Sequence, residues 1–326
     1  MKLKKEYLIL IVLIVALALY LMMRSAGRDA DIPQPARLEA SKLSRLVVTV
    51  KQSAPVELVK KDERWQIEPK KYAVDQTVIG NMTRAAAELT LSAIVSESGS
   101  YERYGLTPKE GITVQAFSEG KQVRAFSIGK TAPTNQHTFV LVEGDPKVYH
   151  ARGQIETVFN QTVDSLRDKT VFAVEKQNIT DITIVKGSYH LTLVKKKIQN
   201  KKAADDKTAT PQAADTTPEA PQFEWEKPGG TTAEHRDVDL LLDNIVRLNC
   251  DGFLEDEDPA KLSKAVLQIT FRDGTGEYRL AVFPEQKETK DKRPAVASST
   301  PYPFYLSRWR VEGLEKSIDG LLAANR

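Results

Sequence analysis

"LVKKDERWQIEP", residues 58–69, reads as the second arm of a β-hairpin followed by a strand that carries a tryptophan and closes on a proline. The chain writes the phrase again downstream, as LVKK at 193–196 and FEWEKP at 223–228. Leu58 to Leu193 is an offset of 135 residues, and Trp65 to Trp225 is an offset of 160. The difference, 25, is the length of the run IQNKKAADDKTATPQAADTTPEAPQ at 198–222. That run has no aromatic residue and too little apolar surface to order itself. Extending a hairpin loop costs little, because closure entropy grows only logarithmically with length. One folding unit written twice, with a distended hairpin in the second copy, is therefore the expectation.

Outward from the phrase, both halves run in the same order: hairpin, tryptophan strand, helix, antiparallel strands, helix. In the first half, Asp75 is the expected N-cap, with Val74 and Ile79 as a hydrophobic staple. Val78, Met82, Ala85 and Leu89 form the expected helical stripe, and Ile155, Val158, Phe159, Thr162 and Leu166 mark a second helix. SESGSYERYGLTP reads as a connector. ITVQAFSEGKQVRAFSIG and HTFVLVEGDPKVYHA read as strand pairs about Glu-Gly and Gly-Asp-Pro. In the second half, ITDITIVKGSYHLTLVKKK is a hairpin, and Val238, Leu241, Ile245 and Leu248 share a stripe. That helix begins at a Thr231/Glu234 capping box, with Asp237 as a rival cap. AVLQITFRDGTGEYRLAVF is a strand pair, PEQKETKDKRPAVASSTP a swollen loop, YPFYLSRWR a strand, and VEGLEKSIDGLL the closing helix.

The N-terminus is unlike the rest. Lys2, Lys4 and Lys5 precede sixteen uncharged residues, Leu8 to Met23, and Arg24 and Arg28 follow. As a helix the run spans about 24 Å, a little under the roughly 30 Å hydrocarbon core. It exceeds the apolar region of an ordinary signal peptide, and no small-residue cleavage site follows it. An uncleaved signal anchor through residues 8–23 is expected rather than a cleaved peptide, with the lysines cytoplasmic and the body exported. Residues 1–28 carry five Lys/Arg and one Glu, a net +4, so the remaining 42 basic and 43 acidic residues sum to −1. The body thus has no electrostatic footprint for nucleic acid. Cys250 cannot form an intramolecular disulfide, and four scattered histidines (137, 150, 190, 235) show no metal-ligand spacing.

The N-terminal anchor, the tryptophan strand ending in Pro69, the long helix, YGLTP at 104–108, FSIGK at 126–130 and HTFVLVEGDPKVYHA together resemble the DUF4340 family, bacterial domains of unknown function. The resemblance is clearest over 45–170. It implies an envelope protein, often encoded beside an ABC-type exporter and a gliding-motility-type auxiliary subunit, and supplies no catalytic residues. The second half departs from the pattern, having PAKLSK at 259–264 in place of YGL.

Local motifs add no chemistry. GKT at 129–131 lacks a glycine five positions earlier, where Arg124 stands, so it is no phosphate loop. DGTG at 273–276 fits a hairpin turn. LEDEDP at 254–259 lacks the alternation and central glycine of a Ca²⁺ loop. Paired carboxylates for glycosidase work need not be close in sequence, and none is singled out. Tyr302, Phe304, Tyr305 and Trp309 crowd one expected strand; they are either core residues or a partner-binding surface.

The expectation is an α+β protein of two tandem related units, each an antiparallel sheet with helices on one face, plus one N-terminal transmembrane helix. Residues 1–28 form the cytoplasmic tip and anchor, 29–40 a polar tether, 41–170 the first unit and 171–326 the second, with disordered insertions at about 198–222 and 284–301. The protein is expected to be a single-pass inner-membrane protein facing the periplasm. Its expected role is a non-enzymatic accessory or scaffold partner of an ABC-type transporter complex, without cofactor or metal. A cell-wall glycan or peptide hydrolase, or a polymer-binding module, is the alternative.

Overall fold

The computed structural model describes residues 11–20, 22, 32–97, 99–198, 223–254, 262, 264–286 and 289–323. It is α+β, with two antiparallel sheets and few helices. The chain divides into two compact units, Met1–Asp168 and Lys169–Arg326.

In the first unit the strands are β1 (Arg45–Val50), β2 (Val56–Lys61), β3 (Arg64–Glu68), β4 (Tyr72–Ala73), β5 (Leu91–Ser96), β6 (Ile112–Ser118), β7 (Lys121–Thr131), β8 (His137–Val142) and β9 (Val148–Arg152). Their order across the sheet is β4-β3-β2-β1-β6-β7-β8-β9-β5. Asp62 and Glu63 turn β2 into β3, both with positive φ (47° and 64°), as a primed two-residue hairpin turn requires. Alternation then puts Leu58, Trp65 and Ile67 in the core, beside Leu46, Val48, Val114 and Ile128.

Helix α1 (Gln76–Ala87) starts where expected: the Asp75 carboxylate accepts from the N–H groups of Thr77 (2.8 Å) and Val78 (3.1 Å). Its buried stripe is Ile79, Met82, Thr83, Ala86 and Ala87. This corrects the expected stripe, of which Val78 and Ala85 lie half-exposed at the edges. The expected second helix is in fact two short ones, α2 (Ile155–Phe159) and α3 (Val163–Leu166). The break has a local cause. Thr162 and Ser165 form a reciprocal capping box that starts a new helix after Asn160 and Gln161. Phe159 still reaches the core, edge-on to Phe126 at 5.9 Å.

The second unit contains β10 (Asp181–Lys186), β11 (Tyr189–Lys197), β12 (Phe223–Glu226), α4 (His235–Ile245), β13 (Gly252–Phe253), β14 (Leu267–Arg272), β15 (Glu277–Val282), β16 (Lys292–Ala297), β17 (Thr300–Ser307) and α5 (Arg308–Ala323). Its sheet order is β12-β11-β10-β14-β15-β16-β17-β13. Strand for strand this follows the first sheet without β4. The registers agree too. Lys60 faces Trp65 in one sheet, and Lys195 faces Trp225 in the other. Arg45 lies between Val59 and Phe117; Asp181 lies between Val194 and Arg272.

Four expectations for this unit are corrected. The expected loop at 284–301 contains strand β16, with Pro294 facing Tyr305. Helix α4 has Glu234 at its N-cap position with no side-chain cap, so neither the Thr231/Glu234 box nor Asp237 caps it. It ends at Ile245, although Leu248 is still buried. The strand expected at 302–310 ends at Ser307, and Trp309 belongs to the first turn of α5.

The expected anchor falls only partly within the described residues. Helical residues 11–20 and 22 expose their apolar side chains, from 51% at Val15 to 71% at Met22. Among the described residues, no helix is long and apolar enough to cross a membrane. The insertion at 199–222 lies outside the described residues.

Candidate partner-binding surfaces

The aromatic cluster near the C-terminus separates into core and surface. Phe304 is fully buried, opposite Ala295 on β16, and so leaves the candidate surface. Tyr302 and Tyr305 are half-buried, and Lys292 Nζ lies 5.9 Å from the Tyr305 ring. Trp309 is 65% exposed, whereas Trp65 and Trp225 are core residues. The Arg310 guanidinium sits 4.6 Å over the Trp309 ring. Arg310 Nε donates to both oxygens of Asp251 (3.3 and 3.1 Å), and Asp251 Oδ2 also accepts from the Ser307 N–H at 2.7 Å. A backbone-fixed carboxylate thus holds the arginine that props the indole. An aromatic held this way meets a partner with little further loss of side-chain freedom.

In the first unit, three of the stretches that carried the family resemblance, YGLTP, FSIGK and HTFVLVEGDPKVYHA, meet at one place. Tyr101–Tyr104 form a 3-10 turn that ends on Gly105 at φ 69°. The turn lies across β7 at Gly129: a Cβ there would come within 2.2 Å of the Tyr104 carbonyl oxygen and 3.0 Å of Leu106. YGL and IGK are therefore the two halves of one clasp, and Gly129 is a packing gap, not part of a phosphate loop. The Tyr104 ring rests on Phe139 (4.9 Å), Phe139 on His150 (4.9 Å), and His150 stacks on His137 at 5.3 Å and 23°. Burial lowers the His150 pKa, and the neighbouring His137 lowers it further. Sequence reasoning left the two histidines among four scattered ones with no shared place. The signal was the Gly-Asp-Pro turn, which folds β8 onto β9 so that Phe139 faces His150. Tyr149 holds that turn: its hydroxyl donates to Asp145 Oδ2 at 2.6 Å, and burial with this bond pushes the phenol up to about 12.

Two shallow basins accompany these surfaces. One, of about 430 Å³, lies on the first sheet between Thr113, Gln115, Ser127, Leu141 and Pro146. The other, of about 620 Å³, is lined in the second unit by Lys176, Lys195, Phe223, Trp225, His235 and Asp239. Burial lowers the Lys195 pKa; its Nζ donates to the Gln177 carbonyl at 2.7 Å and lies 4.7 Å from the Phe223 ring. For Lys176, burial acts downward, but hydrogen bonds to Asp243 and Asp239 outweigh it and raise the pKa.

The remaining motifs are structural. Asp273 of DGTG accepts from Thr275 Oγ1 (2.6 Å), the Thr275 N–H (2.7 Å) and the Gly276 N–H (2.8 Å), bonds that hold its pKa low and shape the β14–β15 turn. Cys250 is buried. Most of LEDEDP lies outside the described residues. Among the described residues, no group of three or more His, Cys, Asp or Glu could hold a metal.

A family model described as "Domain of unknown function (DUF4340)" matches residues 65–265, well over half of the chain and parts of both units. No curated protein and no solved structure matches.

Proposed function

This chain belongs to the DUF4340 family, and from that premise we propose that it is a membrane-anchored accessory or scaffold protein. Its body, two copies of one unit, faces the periplasm beside an ABC-type transporter complex. The observation that carries the reading is the N-terminal helical stretch. Ile11 to Val15, Leu17, Leu19 and Tyr20 are each more than half exposed. Leaving so many apolar side chains in water is unfavourable by about 25 cal/mol per Å², so something covers them. The flanking charges, Lys2, Lys4 and Lys5 before and Arg24 and Arg28 after, favour a lipid bilayer with the N-terminus inside. The shared strand order and registers of the two sheets support duplication. The propped, exposed Trp309 supports a protein-binding role.

Alkaline carbonate extraction of membranes and thiol labelling of spheroplasts test the topology. The protein stays in the pellet, and a cysteine placed at exposed Ser53, in a Cys250→Ser background, is labelled from outside. Release into the supernatant, or labelling only after lysis, contradicts the reading. Crosslinking followed by membrane pull-down tests the partner: transporter subunits co-purify, and Trp309→Ala weakens their recovery. Recovery of the protein alone rejects the accessory role.

A further inference from the structure

Arg124, on β7, is 8% exposed, and burial lowers its pKa. Among the described residues, its hydrogen-bond partners are backbone carbonyls. Nη1 donates to the carbonyls of Ala86 (2.5 Å) and Ala87 (2.9 Å), in the last turn of α1, and Nη2 donates to the carbonyl of Ala36. The first two are among the carbonyls that a helix C-terminus leaves without an intrahelical donor, where the helix dipole favours a cation. The third lies in the segment leading in from the N-terminus.

That segment makes further bonds of its own. The Leu38 N–H donates to the Ala87 carbonyl at 3.2 Å. Gln34 Nε2 donates to the Leu91 carbonyl (2.8 Å), and Gln34 Oε1 accepts from the Leu91 N–H (3.0 Å). The Gln34 amide thereby acts as one rung of sheet on β5, the edge strand of the first sheet. Arg37 pairs with Glu88 at 3.0 Å, an exposed contact of little energy.

We propose that residues 34–38, expected from sequence to be part of a free tether, are a strap clamped to the first unit. Arg124 ties the strap to the C-terminus of α1, and Gln34 ties it to edge strand β5. The strap makes the chain up to Gln34 move with the unit. Its mechanical consequence rests on the anchor reading: only residues 25–33 separate Arg24 from the clamp. Ten steps of extended chain span at most about 35 Å. The clamped end of the first unit therefore stays within that height of the bilayer, and a partner that meets this end is membrane-proximal.

Hydrogen exchange of the full-length protein tests the clamp without reference to a membrane. In the unsubstituted protein the Leu38 and Leu91 amides are protected. Arg124→Met speeds Leu38 exchange at least tenfold and opens the Arg37–Leu38 bond to trypsin, while Arg124→Lys, which keeps the charge but not the fork, has a smaller effect. Gln34→Ala removes only an exposed side chain and speeds exchange at Leu91. It decides the matter if Arg124→Met does not fold, which a thermal melt reveals. Exchange of Leu38 and Leu91 at unfolded-chain rates in the unsubstituted protein, or no change at Leu91 in Gln34→Ala, overturns the proposal. Carbonate release of the protein would reject the anchor and leave the clamp standing.

Discussion

The first unit joins its β2–β3 hairpin with two residues, Asp62 and Glu63, where the second unit places 25, and yet Lys60–Trp65 and Lys195–Trp225 occupy the same rung. Here the register survives the change in loop length, because one face of each strand pair is buried and a one-residue slip would turn that face to solvent. On the opposite side of the sheet the difference has more consequence. Following the registers, Ile128 of β7 corresponds to Val282 of β15, so Gly129 corresponds to Phe283. Where the first unit leaves room for the YGL clasp, the second carries the half-buried Phe283. Strand order and registers thus agree between the two sheets, and the residue at this position does not.

The largest effects test the shared part. Trp65→Ala and Trp225→Ala each remove a buried indole and cost about 3–5 kcal/mol, each in its own unit. Hydrogen exchange in rising denaturant, read on the core amides of each unit, reads them separately. A small loss at one position and a large loss at the other breaks the equivalence. Next comes the part that differs. Gly129→Ala drives a Cβ against the Tyr104 backbone and destabilises the first unit by about 2–3 kcal/mol. The same measurement reports a change confined to that unit.

The helix starts differ in a way that sharpens the contrast. Asp75→Ala removes a working cap and costs about 1 kcal/mol. Glu234→Ala, at a position whose side chain makes no cap bond, stays within about 0.5 kcal/mol. The smallest effect is pH-dependent. The His150 pKa is depressed in the folded unit, so below the ordinary value of 6.5 the unfolded chain binds more protons than the folded one. The stability that neutral His150 contributes is full above about 6.5. It declines as pH falls from there towards the depressed folded value, where the loss levels off. A pH series of first-unit melts shows this decline, and His150→Gln flattens it.

What was legible in the sequence was whatever leaves a periodic or capping signature. The tryptophan strands, the Asp75 cap and the glycine-marked hairpins each stand in local residue order. Strand β16 did not, because Lys292, Arg293 and Pro294 read as a charged loop; its burial shows only at Pro294 and Ala295, against β17. The split between α2 and α3 was hidden because Ile155, Phe159 and Leu166 are all buried and keep a helical rhythm across a break. Of the candidate surface, Trp309 was found by composition, but its prop was not. Asp251 lies 59 residues from Arg310, and nothing local pairs them. The clamp at Arg124 was likewise out of reach, since it joins a strand, a helix end and the N-terminal segment.

The central claim is that one architectural unit is written twice, and matched disulfide trapping tests it most directly. Val47 faces Gln115 in the first sheet, and Thr183 faces Thr270 at the corresponding rung of the second. In a Cys250→Ser background, the cysteine pairs Val47→Cys/Gln115→Cys and Thr183→Cys/Thr270→Cys both close on mild oxidation without loss of fold, because facing strand residues lie within disulfide reach. Closure of the first pair while the second stays reduced in the folded protein would show that β10 does not lie beside β14, and would contradict the account.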